Sequence, residues 1–165
     1  MRLLIVCYSM SGNVASVAEK IAEISGGIVL RIEPEKEYPS KGMKKFLWGG
    51  KSALMGEEPP LKPYELRPGD YDHIVIGYPV WASTFPPPIR TFLKKHREEL
   101  RGKTISAFAC YAGSGAEKSI KKLEEFLETD SLQETLLLQD AYPKKPETVT
   151  GRDGKIEAFA EKLRG

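Results

Sequence analysis

Apolar residues in this chain fall in two periods that alternate along its length. Short, nearly continuous apolar and β-branched runs occur at Leu3 to Cys7, Ile28 to Ile32, His73 to Gly77, Thr104 to Ala109 and about Glu134 to Leu138. Runs of that length and composition predict strands, and the first, third and fourth read as strands covered on both faces. Between them the period changes to that of a helix. Val14, Val17, Ala18, Ile21 and Ala22 form one stripe, and Ile89, Phe92 and Leu93 a second. Ile120, Leu123 and Leu127 form a third, and Ile156, Phe159, Ala160 and Leu163 a fourth. Strands alternating with helices predict an α/β domain with a parallel sheet, right-handed crossovers and helices on both faces. The stretch from Pro34 to Tyr71 is the irregular part. Lys41 to Met55 is expected to form a helix carrying Met43, Phe46, Leu47 and Leu54, weakened by Gly49-Gly50.

Composition narrows the class. The chain has 165 residues, is 41% hydrophobic and 29% charged, and carries a net charge of +2. This suits one domain, residues 1–165, with a core large enough to need no disulfide or metal staple. No apolar run approaches a membrane span, and the amino terminus lacks a signal-peptide pattern, so a cytoplasmic protein without a membrane partner is expected. The near-balanced charge gives no expectation of a nucleic-acid partner, and Lys94-Lys95-His96-Arg97 reads as a solvated face. Cys7 and Cys110 form no zinc or C-x-x-C spacing. The chain holds one Asn, Asn13, and two Gln; few amides among many charges is a balance associated with heat adaptation.

Candidate chemistry lies in three loops that follow strands. The first, Ser9-Met10-Ser11-Gly12-Asn13, joins strand one to helix one, where free backbone N–H groups and the helix dipole favour an anion. An ordinary helix cap accounts for the same letters equally well. No Lys follows the glycine and no G-x-G-x-x-G is present, which excludes a triphosphate P-loop and a dinucleotide fingerprint. Asn13 stands where a low-molecular-weight phosphatase built on Cys7 would need Arg. The second loop is Gly77-Tyr78-Pro79-Val80-Trp81-Ala82-Ser83, and the third is Ala109-Cys110-Tyr111-Ala112-Gly113-Ser114-Gly115. Small residues beside a single aromatic suit a flat ring lying on a backbone ribbon, although each loop alone also has a structural account. No metal-ligating set and no catalytic acid or base stands out.

With these three loops the chain resembles the flavodoxin family over nearly its whole length. The resemblance implies a five-stranded, doubly wound parallel sheet of order 2-1-3-4-5, with the ligand at the switch point of the sheet. It further implies FMN as cofactor and a role in electron transfer. Ser9, Met10, Ser11, Gly12, Asn13 and Val14 would hold the phosphate. Pro79, Val80, Trp81, Ala82 and Ser83 would hold the isoalloxazine, together with Cys110, Tyr111, Ala112, Gly113, Ser114 and Gly115. Val14 departs from the family pattern, since a Thr hydroxyl is common there. The chain also lacks the strong acidity of the small electron carriers and looks more like flavin and quinone reductases. With no Asp or Glu in Pro79 to Ser83 or Cys110 to Gly115, little electrostatic penalty falls on a reduced anionic ring, which favours two-electron transfer.

The expected partners are a redox protein or a small acceptor such as a quinone, with a homodimer an open possibility and Lys41 to Met55 a candidate contact or flavin cover. A one-electron carrier is the alternative, as is, in another class, a binding or regulatory domain for a different phosphorylated ligand. In strand order 2-1-3-4-5, Cys7 and Cys110 would lie about 10 Å apart, too far for a disulfide. Cys7 is expected as a buried small hydrophobe and Cys110 near the flavin edge.

Overall fold

The computed structural model describes residues 1–38, 53, 55–139 and 151–165, and the backbone of 146–150. Five parallel strands, β1 (Leu3–Cys7), β2 (Ile28–Arg31), β3 (His73–Pro79), β4 (Thr104–Tyr111) and β5 (Thr135–Gln139), form one sheet. Its order is β2-β1-β3-β4-β5. The helices are α1 (Asn13–Ser25), α2 (Pro87–Lys95), the single turn α3 (Arg97–Leu100), α4 (Ala116–Leu127) and α5 (Pro146–Leu163). The helix expected over Lys41 to Met55 lies almost wholly outside the described residues.

Strand alternation sorts the core into two layers. Leu4, Val6, Ile74, Ile76 and Tyr78 face the layer that holds Ile89, Phe92 and Leu93 of α2 and Ile120 and Leu123 of α4. Leu3, Ile5, Cys7, Val75, Phe108 and Cys110 face Val14, Val17, Ala18 and Ile21 of α1 and Ile156, Phe159 and Ala160 of α5. The stripes read from the sequence are therefore the faces that pack. Gly77 has a specific reason to be glycine: a Cβ there would lie 2.2 Å from the Phe108 ring, which crosses the strand at that point.

Two strands run past their apolar cores. Gly77, Tyr78 and Pro79 belong to β3, and Ala109, Cys110 and Tyr111 to β4, although both segments were expected to begin loops. The ladder explains the difference, since Tyr78 pairs with Ala109, Pro79 with Cys110, and Tyr111 with Gln139 of β5. Proline is tolerated at the end of β3 because the ladder with β1 has already ended at Gly77. His96 is also not part of a solvated face. It is 7% exposed, with Nε2 2.6 Å from the Tyr64 hydroxyl and Nδ1 2.7 Å from Glu99 Oε1. That hydrogen bond holds the Glu99 carboxyl below its ordinary range.

Candidate functional site at the carboxyl edge

β1, β3 and β4 end side by side, so their loops share one edge of the sheet, where the chain turns outward from β1 to β2 and returns on the other side of β1 to β3. In the first loop Ser9 is buried and Ser11 exposed, and Met10 packs against the first core layer. Gly12 takes φ +87°, which favours glycine, and precedes α1 with no side chain capping the helix amides. The first turn of α1 holds no acidic residue. The side-chain cap that the same letters equally allowed is thus not formed, and the helix terminus keeps its positive end. Ser9 Oγ is buried and has no hydrogen-bond partner among the described residues. A buried hydroxyl without a partner carries a desolvation penalty of about 1–3 kcal/mol unless something satisfies it. Val14 is 2% exposed and its side chain belongs to the core, so only its backbone is available to the loop.

The second loop is a tight turn. Trp81 and Thr84 exchange backbone hydrogen bonds of 3.0 Å each way, and Ala82 (φ +50°) and Ser83 (φ +60°) fill the turn in the left-handed region. Neither is glycine, so the turn stores strain of order 1 kcal/mol or more per residue, which is found disproportionately at binding sites. The half-buried Trp81 ring meets Tyr8 edge-on at 5.6 Å and Tyr38 at 5.4 Å. Val80 is half-buried and donates its N–H to the Cys110 carbonyl at 2.9 Å.

The third loop is held by that bond and by contact with the turn. Gly115 has φ +93°, and a Cβ on it would approach Ser83 Oγ to 2.2 Å, so the second and third loops touch at a point where only glycine fits. Ala112, Gly113 and Ser114 are exposed and Tyr111 is half-buried, while Gln139 Nε2 donates to the Ala112 carbonyl at 3.3 Å. The Cys110 side chain is directed into the second core layer, away from this surface. Both cysteines are free and buried. Burial pushes the Cys7 thiol up to about 12, so it presents no thiolate at neutral pH.

Several contributors were not visible as motif letters. Tyr8 and Tyr38 frame Trp81, and burial moves the Tyr8 hydroxyl above its ordinary range. Arg31 Nη2 donates to the Ser9 carbonyl at 3.1 Å. Arg152 of α5 donates through Nη2 to Asn13 Oδ1 at 3.0 Å and lies 3.9 Å from Cys110 Sγ. A signal for Arg152 was present, since it stands four residues before Ile156 and so extends the core-facing stripe of α5 with a cation.

A cavity of about 390 Å³ lies at the opposite, amino edge, lined in part by Arg97, Arg101, Lys103 and Phe126. Its cations are engaged within the chain. Lys103 donates to the Gly69 and Tyr71 carbonyls, Arg97 to the Phe126 carbonyl, and Arg101 pairs with Glu98. Among the described residues no cluster suited to a metal ion occurs, and no helix is long and apolar enough to cross a membrane.

This sheet order, with three loops converging on an uncapped helix terminus at the switch point, is the architecture of the flavodoxin-like proteins. The chain belongs to the flavodoxin family, which it matches over residues 2–149. A candidate flavoprotein from Bacteroides eggerthii is 26% identical, with a TM-score of 0.76 over 99% of this chain and 98% of that one. A flavoprotein from Lactobacillus acidophilus, solved in complex with FMN, is 23% identical, with a TM-score of 0.71 over 82% and 92%. An FMN-dependent NADH-azoreductase from Bacillus anthracis shares the fold at 13% identity and a TM-score of 0.60, over the full length of both chains.

Proposed function

We propose that this chain binds one FMN at the carboxyl edge of its sheet and transfers electrons through it in two-electron steps, as a reductase-like protein. The observation that carries the reading is the buried Ser9 Oγ, without a partner among the described residues, beside the amino terminus of α1, which has no side-chain cap. A phosphate would accept from that hydroxyl, from Ser11 Oγ and from the amides that follow Gly12. FMN, when bound, supplies the redox chemistry. The chain's residues bind and orient it. The Trp81–Thr84 turn and the Tyr111 to Gly115 segment offer backbone groups and flat side chains for the ring. Trp81, fixed by two edge-on tyrosines, offers it a rigid face. Nothing in Pro79 to Ser83 or Cys110 to Gly115 adds negative charge beside the ring. That balance favours a reduced, anionic ring and hence two-electron transfer, to a redox protein or a small planar acceptor such as a quinone.

The purified protein should be yellow, and heat should release FMN in equimolar amount, identified by chromatography. Release mainly of FAD would overturn the choice of cofactor. A colourless protein that takes up no flavin would favour a binding domain for another phosphorylated ligand. In a stepwise anaerobic reduction the visible spectrum should pass directly from oxidised to fully reduced. A third spectral species dominating the midpoint, with no quinone turnover by NADH or NADPH, would favour a one-electron carrier.

A further inference from the structure

A second cluster of polar side chains lies away from the three loops. His96 follows α2, Glu99 belongs to α3 and Gly69 stands shortly before β3, so the cluster sits near the amino ends of the strands. Tyr64 Oη is 2.6 Å from His96 Nε2, and His96 Nδ1 is 2.7 Å from Glu99 Oε1. The Glu99 carboxyl is held below its ordinary range, chiefly by the hydrogen bond from His96, so at neutral pH it is ionised and only accepts. In the neutral imidazole Nδ1 therefore carries the proton, and the Nε2 lone pair accepts from the Tyr64 hydroxyl. The Gly69 amide donates to Glu99 Oε2 at 3.0 Å, and the Phe92 ring centre lies 4.7 Å from that of His96, so carboxylate and imidazole are both held in place. Hydroxyl, base and orienting carboxylate stand in the order that activates a nucleophile. His96 is buried and Tyr64 only half-buried, so part of the Tyr64 side chain meets solvent.

We propose that Tyr64, His96 and Glu99 form an acyl-transfer site, with Tyr64 the nucleophile toward small, activated esters of carboxylic acids. Tyr64 Oη attacks the ester carbonyl carbon while its proton passes to His96 Nε2. The bond from that carbon to the alcohol oxygen breaks, and the departing oxygen takes the proton from His96. An acyl ester of Tyr64 and a free alcohol result. Water then attacks the acyl carbon, which releases the carboxylic acid, and His96 returns a proton to the phenol oxygen. Burial and the Glu99 charge raise the Tyr64 hydroxyl above its ordinary range, so proton loss must accompany attack and the base is needed. Glu99 is a positioning residue that keeps the proton on Nδ1 and offsets the imidazolium that forms. The Lys95 ammonium, 5.0 Å from the centre of the Tyr64 ring, adds positive charge beside the nucleophile. None of these residues belongs to the three loops, so the site stands whether or not FMN binds at the carboxyl edge.

The test treats the full chain with 4-nitrophenyl acetate, followed by nitrophenol absorbance and by mass spectrometry of its peptides. Wild type should release a burst of nitrophenol equal to the protein concentration and carry the acetyl group on Tyr64. Tyr64→Phe, which removes only the hydroxyl, should abolish both while the chain stays folded by circular dichroism. His96→Gln should slow acylation about a hundredfold or more, and Glu99→Gln about tenfold or more. For Glu99→Gln the loss should fall on the rate at saturating ester and not on the ester concentration at half-saturation. If His96→Gln fails to fold, Tyr64→Phe and Glu99→Gln decide the matter. Tyr64 acetylated at the wild-type rate in the His96 and Glu99 variants would show a phenol without a base and overturn the proposal. Acetyl groups on lysines or the amino terminus alone, or no release above that of buffer, would also overturn it and leave the cluster as a strut between α2 and the chain before β3.

Discussion

The two edges of the sheet use polar groups in opposite ways. At the amino edge they satisfy one another. Lys103 bonds two carbonyls, the Arg2 amide donates to Asp72 at 2.7 Å, and His73 Nε2 lies 2.8 Å from Ser106 Oγ, which also accepts from the Glu134 amide. At the carboxyl edge a buried hydroxyl has no partner among the described residues and a helix terminus has no side-chain cap. Each of these lowers the stability of the chain by itself, and each is relieved or used by a ligand. The contrast explains why the cavity at the amino edge is a poor candidate site despite its cations.

The largest effect that would break this contrast is expected at Gly12. Gly12→Val places a branched side chain at φ +87°, where glycine is favoured, and fills the approach to the amides of α1. FMN affinity, followed by titration, should fall by about a hundredfold or more, equivalent to roughly 3 kcal/mol. An affinity near wild type would place the phosphate elsewhere.

A matched pair of serines sharpens the comparison. Ser106→Ala should lower unfolding free energy by about 1–3 kcal/mol, because it strips His73 and the Glu134 amide of a buried partner, and should leave FMN affinity alone. Ser9→Ala should do the reverse, weakening FMN by about 1–3 kcal/mol while the apoprotein is unchanged or slightly more stable. Urea unfolding of both apoproteins, beside FMN titration, reads all four quantities. Stability loss in both variants would erase the distinction between edges.

The amino edge should also carry the protein's response to mild acid. Burial lowers the His73 pKa below its ordinary 6.5, so the unfolded chain binds the proton more readily. Stability is then fully present above about pH 6.5 and is lost as pH falls from there toward the folded value. Glu99, whose pKa is lowered from 4.5, loses its contribution only at more acidic pH. Urea midpoints between about pH 7.5 and 5 should therefore decline in wild type and decline less in His73→Gln. The smallest effect is expected at Ala82→Gly, which should stabilise the apoprotein by about 0.5–1 kcal/mol through relief of the positive φ. A destabilised variant would mean that the turn holds no strain.

The sequence made the sheet legible because its strands are largely apolar, and β1, β3 and β4 are buried along most of their length. Leu3 to Cys7 coincides with β1, and the other strands differ by one or two residues at their ends. Those ends extend because ladder pairing continues through Tyr78, Pro79, Cys110 and Tyr111, which hydrophobic period alone does not register. In the site, the loops were legible as motifs, since a left-handed Gly12 and a close-packed Gly115 are demands on backbone that only glycine meets readily. The destination of side chains was not. Cys110 and Val14 sit in those loops by sequence yet point into the core, while Tyr8 and Tyr38 reach the site from positions without a local signature, and Arg152 shows only as a cation in the stripe of α5. Long-range contact is set by packing, and one chain's letters carry it only indirectly.

The central claim is that the loop after β1 holds the phosphate of FMN, and phosphorus NMR of the flavin-loaded protein tests it most directly. Free FMN changes its phosphate charge near pH 6. Held by Ser9, Ser11 and the amides of α1, the dianion should resonate apart from free FMN and stay constant from about pH 5 to 8. A bound resonance that tracks the titration of free FMN would put the phosphate in solvent and contradict the account.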